Sequence, residues 1–196
     1  MKLENLKGMT LDELQGFVQA LGEKKYRSAQ LFSWLYAKGA QSFDDMSDIS
    51  KDFREVLKKS ASLEHLGLIA TNRSPKDGTT KFLFKLIDGV AVESVLIAPE
   101  KTSPASQKRL TLCLSTQVGC PLDCKFCATG TMGFTRNLTA GEIIDQVIQT
   151  QRQSTKRITN LVYMGMGEPM LNYDNVMKSV DILTDDRSLN IGSKHI

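Results

Sequence analysis

The sequence contains no apolar run of eighteen residues, no internal repeat and no low-complexity tract. Because a helix needs about 20 apolar residues to cross a bilayer, the first of these absences predicts a chain with no membrane-spanning segment. The first ten residues are neither apolar enough for a secretory signal nor rich enough in Arg and Ser for a transit peptide. A cytoplasmic location is therefore expected.

Cysteine is absent outside one short stretch. All four cysteines, at positions 113, 120, 124 and 127, fall within fifteen residues, and none follows. Thiols crowded in this way cannot form a disulfide framework spread through a fold, so they indicate metal binding or catalysis. The formal charge of +3 permits a nucleic-acid partner without requiring one.

Residues 1–64 are predicted to form a small helical accessory domain. Apolar residues recur at helical period over residues 11–21 and 27–38, and a third helix is predicted after Ser50. Thr10 and Glu13 have capping-box spacing before the first helix. Basic side chains near the helix ends suggest contact with RNA, although such charges are usually a solvated face: Lys24, Lys25, Arg27, Lys58 and Lys59.

Residues 65–100 change to a β pattern. Strands are predicted over residues 81–86 and 90–97, with Asp-Gly turn signals at 77–78 and 88–89. By alternation alone, Glu93 in the second strand faces solvent. Residues 101–108, rich in Ser and Pro, are predicted to be a linker.

Residues 101–196 alternate between strand and helix signals. The pattern predicts strands at 110–115 and 160–164, helices at 138–151 and 173–184, and a further strand opening at 193–196. Alternating units of this kind form a parallel sheet whose functional loops follow the carboxyl ends of the strands. The fold class is therefore α/β, the first part of a (βα) barrel. Because so few strands cannot close a barrel, we expect the chain to be the N-terminal portion of a longer protein.

Two loops fall at those strand ends. The first carries Cys120, Cys124 and Cys127, a set of three thiolates that suits an iron–sulfur cluster with one iron left open. A structural zinc site with Cys113 as a fourth ligand is the alternative, since such sites take four protein ligands. The second loop, at residues 165–169, joins two glycines to Glu168, which could accept hydrogen bonds from a ligand.

The Cys-x-x-x-Cys-x-x-Cys pattern resembles the signature of the radical S-adenosylmethionine superfamily. Residues 113–120, 124–130, 133–138 and 164–176 resemble, more closely, the dual-specificity RNA adenine-C2 methyltransferases of that superfamily. The related adenine-C8 methyltransferases share these motifs. A radical enzyme acting on a small molecule or peptide, and a zinc-stabilised RNA-binding module without catalysis, are further alternatives.

The resemblance implies a role for each candidate residue. Cys120, Cys124 and Cys127 would ligate a [4Fe–4S] cluster. The binding of S-adenosylmethionine would involve Gly167 and Glu168. Near the target adenine, the acid–base residue would be Glu93, which overturns the solvent-facing interpretation of that side chain. The Cys113 thiol would form a disulfide with a methyl-carrying cysteine when the product is released.

The resemblance also implies partners and a limit. The substrates would be adenosines in 23S rRNA and in tRNA, the electron donor would be external and flavodoxin-like, and the enzyme would be a monomer. The family's methyl-carrying cysteine lies beyond the position of Ile196. We therefore expect that these 196 residues alone do not catalyse methylation of RNA.

Overall fold

A computed structural model describes residues 3–99 and 109–196, and the predicted linker at 101–108 lies outside these described residues. The first part of the chain forms three helices, as predicted: α1 (Leu11–Ala20), α2 (Tyr26–Tyr36) and α3 (Lys51–Ser60). The predicted capping box at Thr10 and Glu13 is present, and the Ser50 side chain caps α3. Local hydrogen bonding by these side chains therefore fixes where two of the helices begin.

Two short strands close the helical module. Strand β1 (Glu4–Asn5) pairs in parallel with β2 (Ala61–Ser62), so the two ends of the module lie side by side. The buried Tyr36 hydroxyl accepts a hydrogen bond from the Gly8 N–H at 3.0 Å and donates one to the Met9 carbonyl at 2.8 Å. These contacts hold the segment that leads from β1 into α1.

The central sheet has five strands: β3 (Gly67–Arg73), β4 (Thr80–Lys85), β5 (Ala91–Ile97), β6 (Thr111–Cys113) and β9 (Asn160–Val162). They lie in the order β3-β4-β5-β6-β9. The neighbouring pairs are antiparallel except β6 with β9, which is parallel. The β hairpins and the α/β part thus share one sheet, and their buried apolar residues form one cluster with those of the helical module. The predicted domain boundaries at residues 64 and 100 stay a prediction.

The α/β part follows the predicted order of elements. Between β6 and β9 the chain passes through α4 (Ala140–Gln153), and after β9 it forms α5 (Tyr173–Thr184) beside α4. The predicted strand at 193–196 is wrong. Residues Ser193–His195 form a 3-10 turn instead, because the His195 N–H bonds back to the Gly192 carbonyl at 2.8 Å rather than to a neighbouring strand. The described residues thus form a mixed α/β fold with an open sheet, and none of their helices is long and apolar enough to cross a membrane.

The sheet has two different faces. Leu96, Leu112 and Leu161 align across β5, β6 and β9, and all three are buried. Since neighbouring residues on a strand point to opposite faces, the next aligned row, which includes Cys113, faces the other way. Ser94 shares the buried face and hydrogen-bonds to Gln146 of α4, so α4 covers that face. The face that carries Cys113 is only partly covered.

Helix α4 also holds the helical module. The Lys7 ammonium forms an ion pair with the Asp145 carboxylate, and both side chains are 2% exposed. Burial opposes ionisation of Asp145, but the neighbouring His65 and Lys7 side chains and the hydrogen bond from the Leu66 N–H hold the pKa of its carboxyl below the ordinary value. A carboxylate with a lowered pKa stabilises the fold above its unfolded pKa, and this stabilisation is lost as the pH falls through the folded value.

The ion pair sits beside a backbone contact that only glycine permits. A Cβ atom on Gly141 would lie 2.5 Å from the Lys7 carbonyl oxygen, and one on Gly8 would lie 2.5 Å from the Gly141 nitrogen. The module therefore packs directly against the backbone at the start of α4.

We predict that Lys7→Met lowers the free energy of unfolding by about 3–5 kcal/mol, because it leaves the Asp145 carboxylate buried without its cation. The control is Lys178→Met, which removes a cation from the exposed pair with Glu13 and should cost about 0–1 kcal/mol. Urea unfolding of both variants measures the difference. Equal losses in the two variants would contradict a buried ion pair between module and helix.

Candidate functional site

The cysteine loop is closed at its base by a small two-stranded sheet that the sequence did not predict. Strand β7 (Gln117–Gly119) pairs antiparallel with β8 (Phe134–Asn137), and the Cys120 N–H donates to the Gly133 carbonyl at 2.9 Å. Gly119 has φ +74°, and a Cβ atom there would lie 1.9 Å from the Gly133 oxygen. The two ends of the loop can meet only because position 119 has no side chain.

Within the loop, the backbone folds around the last cysteine. The Cys127 N–H donates to the Cys124 carbonyl at 2.9 Å, and the Gly130 N–H donates to the Cys127 carbonyl at 3.1 Å. The backbone N–H groups of Gly130 and Thr129 also stabilise the Cys127 thiolate and lower the pKa of that thiol. In residues 3–99 and 109–196, no three His, Cys, Asp or Glu side chains converge closely enough to hold a metal ion.

The glycine-rich loop after β9 lies against the segment between β6 and β7. The Gly165 N–H donates to the Leu114 carbonyl at 2.9 Å, and a Cβ atom at Gly165 would lie 2.7 Å from that oxygen. Gly167 has φ +98°, and a Cβ atom there would lie 2.5 Å from the Gln117 Cβ. Both glycines are therefore required for the two strand ends to approach this closely.

Gln117 joins the two loops through its side chain. Its Oε1 accepts from the Glu168 N–H at 2.8 Å, and its Nε2 donates to Asn137 Oδ1 in β8, also at 2.8 Å. The buried Asn172 amide adds a second connection, since it donates to the carbonyls of Thr116 and Leu138 at 2.8 Å each. The sequence motif indicates Glu168 but not these amides, because a single polar residue in a motif carries no signal of its hydrogen-bond partner.

The Glu168 side chain is partly exposed beside this junction. Its Oε1 accepts a hydrogen bond from the Met170 N–H at 3.0 Å, and it precedes a 3-10 turn at Pro169–Asn172. The backbone of Glu168 is thus fixed by Gln117, and within residues 3–99 and 109–196 no hydrogen bond engages its second carboxylate oxygen.

Glu93 and Cys113 lie on the partly covered face of the sheet. Val95 pairs directly with Cys113 across β5 and β6, and Glu93 is two residues from Val95, so the three share one face. The Glu93 carboxylate is 41% exposed and forms an ion pair with Lys81 Nζ at 2.9 Å. The solvent-side placement expected from alternation therefore agrees with the structure. Burial raises the pKa of the Cys113 thiol.

Two family models match the chain. Residues 4–63 match the "Ribosomal RNA large subunit methyltransferase N-terminal domain", and residues 114–195 match the "Radical SAM superfamily". A protein of Thermotoga neapolitana named "Probable dual-specificity RNA methyltransferase RlmN" is 44% identical over 194 residues. A protein of Geobacter sulfurreducens named "Dual-specificity RNA methyltransferase RlmN" is 45% identical over 192 residues.

This is an RlmN-like chain. The matches cover 99% and 98% of its residues but only 54% and 51% of the two relatives. The chain therefore spans about half the length of the curated relatives it matches. The crystal structure of a radical SAM methyltransferase from Sphaerobacter thermophilus is similar with a TM-score of 0.85 at 40% identity, covering 98% of this chain and 55% of that one. The family resemblance and the partial radical SAM fold expected from the sequence are thus confirmed.

In this RlmN-like chain, large apolar side chains are exposed on and beside the two loops. They include Phe126 at 93%, Met132 at 67%, Phe134 at 47%, Met164 at 79% and Met170 at 70%. Exposed apolar patches commonly mark ligand or protein contacts. Their position next to both loops is consistent with a site that is completed by other groups.

We predict that Gly119→Ala destabilises the chain more than Gly133→Ala does. Both positions have nearly the same positive φ, +74° and +73°, but a Cβ atom at Gly133 would meet nothing within 4 Å. The backbone strain at Gly133 should cost about 1–3 kcal/mol. The added clash at Gly119 should cost about 1–3 kcal/mol more and open the base of the loop.

Urea unfolding gives the two free energies, and the rate of Cys120 alkylation under native conditions reports the opening of the loop. Equal free energies and equal alkylation rates in the two variants would contradict the close approach at Gly119.

Proposed function

We propose that this chain forms the cluster-binding half of a radical SAM RNA methyltransferase that methylates C2 of adenosine in 23S rRNA and tRNA. The observation that carries the proposal is the Gln117 side chain, which joins the Glu168 backbone to β8 at the base of the cysteine loop. This arrangement supports a site in which a ligand of the first loop also meets the second. The relatives' names supply the RNA substrate class.

Cys120, Cys124 and Cys127 are the residues proposed to hold a [4Fe–4S] cluster. Three cysteine thiolates are a suitable ligand set for such a cluster, because they leave one of its four irons open for a substrate or cofactor. The lowered pKa of the Cys127 thiol also fits, since metal ligands bind as thiolates. When bound together, such a cluster and S-adenosylmethionine supply a carbon radical able to abstract hydrogen.

Gly167 and Glu168 are proposed to bind S-adenosylmethionine. Gly167 lets its loop pack directly against Gln117, and the Glu168 carboxylate next to it can accept hydrogen bonds from an ammonium group. Gln117 fixes the Glu168 N–H, so the carboxylate needs little ordering when the ligand binds. Preorganisation of this kind lowers the entropic cost of binding.

Glu93 and Cys113 are proposed to act on the RNA base and on product release. The Glu93 carboxylate, paired with Lys81, can accept or return a proton while it remains accessible from the open face. Cys113, with its raised pKa, remains a thiol at neutral pH. Its sulfur would form a disulfide with a second cysteine as that cysteine's sulfur–carbon bond to the methylated base breaks, with the electron pair and a proton going to the released methyl carbon. That second cysteine is not among these 196 residues.

The chemistry explains why a radical route suits this substrate. C2 of adenine is an electrophilic carbon, so nucleophilic methyl transfer cannot reach it directly. The adenosine must also leave the base stack to expose C2, which requires contacts with the surrounding RNA. We assign those contacts to the helical module, and the electrons to an external flavodoxin-like donor.

We predict that anaerobic reconstitution with iron and sulfide gives about four irons per chain and visible charge-transfer absorbance. Single replacement of Cys120, Cys124 or Cys127 by Ala should abolish both signals, whereas Cys113→Ala should retain them because Cys113 lies outside the loop. Iron and sulfide content together with the absorbance spectrum provide the measurement. A colourless protein that contains one tightly bound zinc ion would contradict the proposed iron–sulfur cluster.

The methyltransferase proposal is tested with a chimera. Residues 1–196 replace the aligned part of the Thermotoga neapolitana relative, which supplies the remaining length. We expect the purified chimera, with a reducing system, to form 2-methyladenosine in unmodified 23S rRNA and tRNA, as measured by mass spectrometry of nucleosides.

Two variants of the chimera test the proposed catalytic residues, and the identity of the methylated nucleoside distinguishes C2 from C8 chemistry. Glu93→Gln and Cys113→Ala should each lower the yield of 2-methyladenosine at least about 100-fold, as expected for loss of general acid–base or covalent catalysis. Glu55→Gln, an exposed change in the helical module, serves as the control. Formation of 8-methyladenosine would instead assign the chain to the C8 chemistry.

A further inference from the structure

Gln146 of α4 is fully buried and meets the proposed site from behind the sheet. Its Oε1 accepts from the Ser94 hydroxyl at 2.8 Å and from the Ser115 N–H at 2.9 Å, and its Nε2 donates to the Ser115 carbonyl at 2.9 Å. One side chain thus satisfies both backbone groups of Ser115, at the point where β6 has ended. Burial of all three residues, at 1% exposure or less, excludes water from these bonds.

The Ser115 hydroxyl extends the network in two further directions. It donates to the Glu93 carbonyl at 2.6 Å and accepts from the Met166 N–H at 2.9 Å. Ser115 therefore connects β5 to the glycine-rich loop after β9, and Gln146 holds Ser115 to α4. Ser115 has no access to solvent, so it cannot itself contact a substrate.

Four of the residues proposed to act in the site lie close to this network along the chain. Glu93 is a direct member, Cys113 is two residues before Ser115, and Gly167 and Glu168 follow Met166. A shift in any of the three backbone segments would move one group of the site relative to the others. Displacements of about 1 Å in such groups are enough to lower rates strongly.

We propose that Ser115 and Gln146 are positioning residues that set the relative placement of Glu93, Cys113 and the glycine-rich loop. The inference rests on the proposed function for the roles of those groups. The network itself stands on geometry alone. Fully satisfied buried polar groups specify one arrangement, because any other leaves donors or acceptors buried without partners.

Ser115→Ala is the first test, with Ser179→Ala as its matched control. Ser179 is also fully buried, and its hydroxyl bonds to the Tyr163 hydroxyl and the Val176 carbonyl at 2.7 Å each. The same atom is removed in both variants, from the same degree of burial and with two hydrogen bonds lost. Only Ser115 connects segments that carry the site.

A second pair uses the same helix. Gln146→Met removes the side-chain amide while keeping the side chain nearly the same length. Gln149→Met makes the same change three residues later in α4, where the side chain faces the helical module. Gln149 bonds Gln41 and Asp145 rather than the site. This pair decides the question if Ser115→Ala does not fold.

The readout is the alkylation rate of Cys113 in the metal-free chain, followed by peptide mass spectrometry under native conditions. Ser115→Ala and Gln146→Met should raise that rate about fivefold to tenfold, the effect of losing roughly one buried hydrogen bond, while the controls change it less than about twofold. Urea unfolding of all four variants ensures that each pair is compared at similar global stability. Equal rates within each pair would overturn the positioning role.

The affinity for S-adenosylmethionine separates this proposal from the proposed function. In the iron-reconstituted chimera, Ser115→Ala should weaken binding about fivefold to tenfold relative to Ser179→Ala, measured by equilibrium dialysis. If the unaltered chimera binds no S-adenosylmethionine, the proposed function fails, and the alkylation rates still decide the placement of Cys113. If the unaltered chimera binds and both serine variants bind alike, the positioning role fails while the proposed function stands.

Discussion

Most of helix α4 is buried, so the charged and amide side chains in its buried turns require partners within the protein, although the Thr150 hydroxyl has none among the described residues. Asp145 and Gln146 are adjacent in sequence, yet their side chains bind partners on different sides of the helix. Asp145 binds Lys7 of the helical module, and Gln146 binds Ser115 at the end of β6. An unpaired group at either position would carry the full cost of burial, so both sides of the helix are fixed together. The module that matches the RNA methyltransferase N-terminal domain is thereby held at a defined position relative to the candidate site.

On the site side of α4, backbone contacts rather than side-chain contacts bring the loops together. Gly119 allows the close approach of the Gly133 carbonyl. Gly165 allows that of Leu114, before β7, and Gly167 allows that of Gln117, the first residue of β7. The polar bridge of Gln117 can form only after these approaches, since it spans from the Glu168 N–H to Asn137. The glycines thus permit the geometry, and the amide fixes it. This division of roles explains why short loops with little apolar packing can hold a defined shape.

The sequence predicted those features that depend on local signals. The capping box at Thr10 places the start of α1, because the cap is satisfied within four residues. Strands β7 and β8 were missed because each is short and is stabilised by a partner fifteen or more residues away, through contacts that only Gly119 permits. The prediction of a strand at 193–196 was wrong because the backbone there forms local hydrogen bonds rather than bonds to a distant strand. Its residues bond to one another, and the apolar Ile196 alone could not indicate which partner the backbone would choose.

Glu93 shows the limit of pattern analysis at a site. Alternation along β5 separates its residues into two faces, and it places Glu93 opposite the buried Val92 and Ser94, as the structure does. The pattern cannot state what the exposed face is for, because a carboxylate that meets solvent and one that meets a substrate occupy the same kind of position. Cys113 resolves part of this ambiguity: it shares the face through Val95, and a half-buried thiol with a raised pKa is not expected on a purely solvated surface. The function of Glu93 therefore depends on its neighbours across the sheet, which a single strand's sequence does not contain.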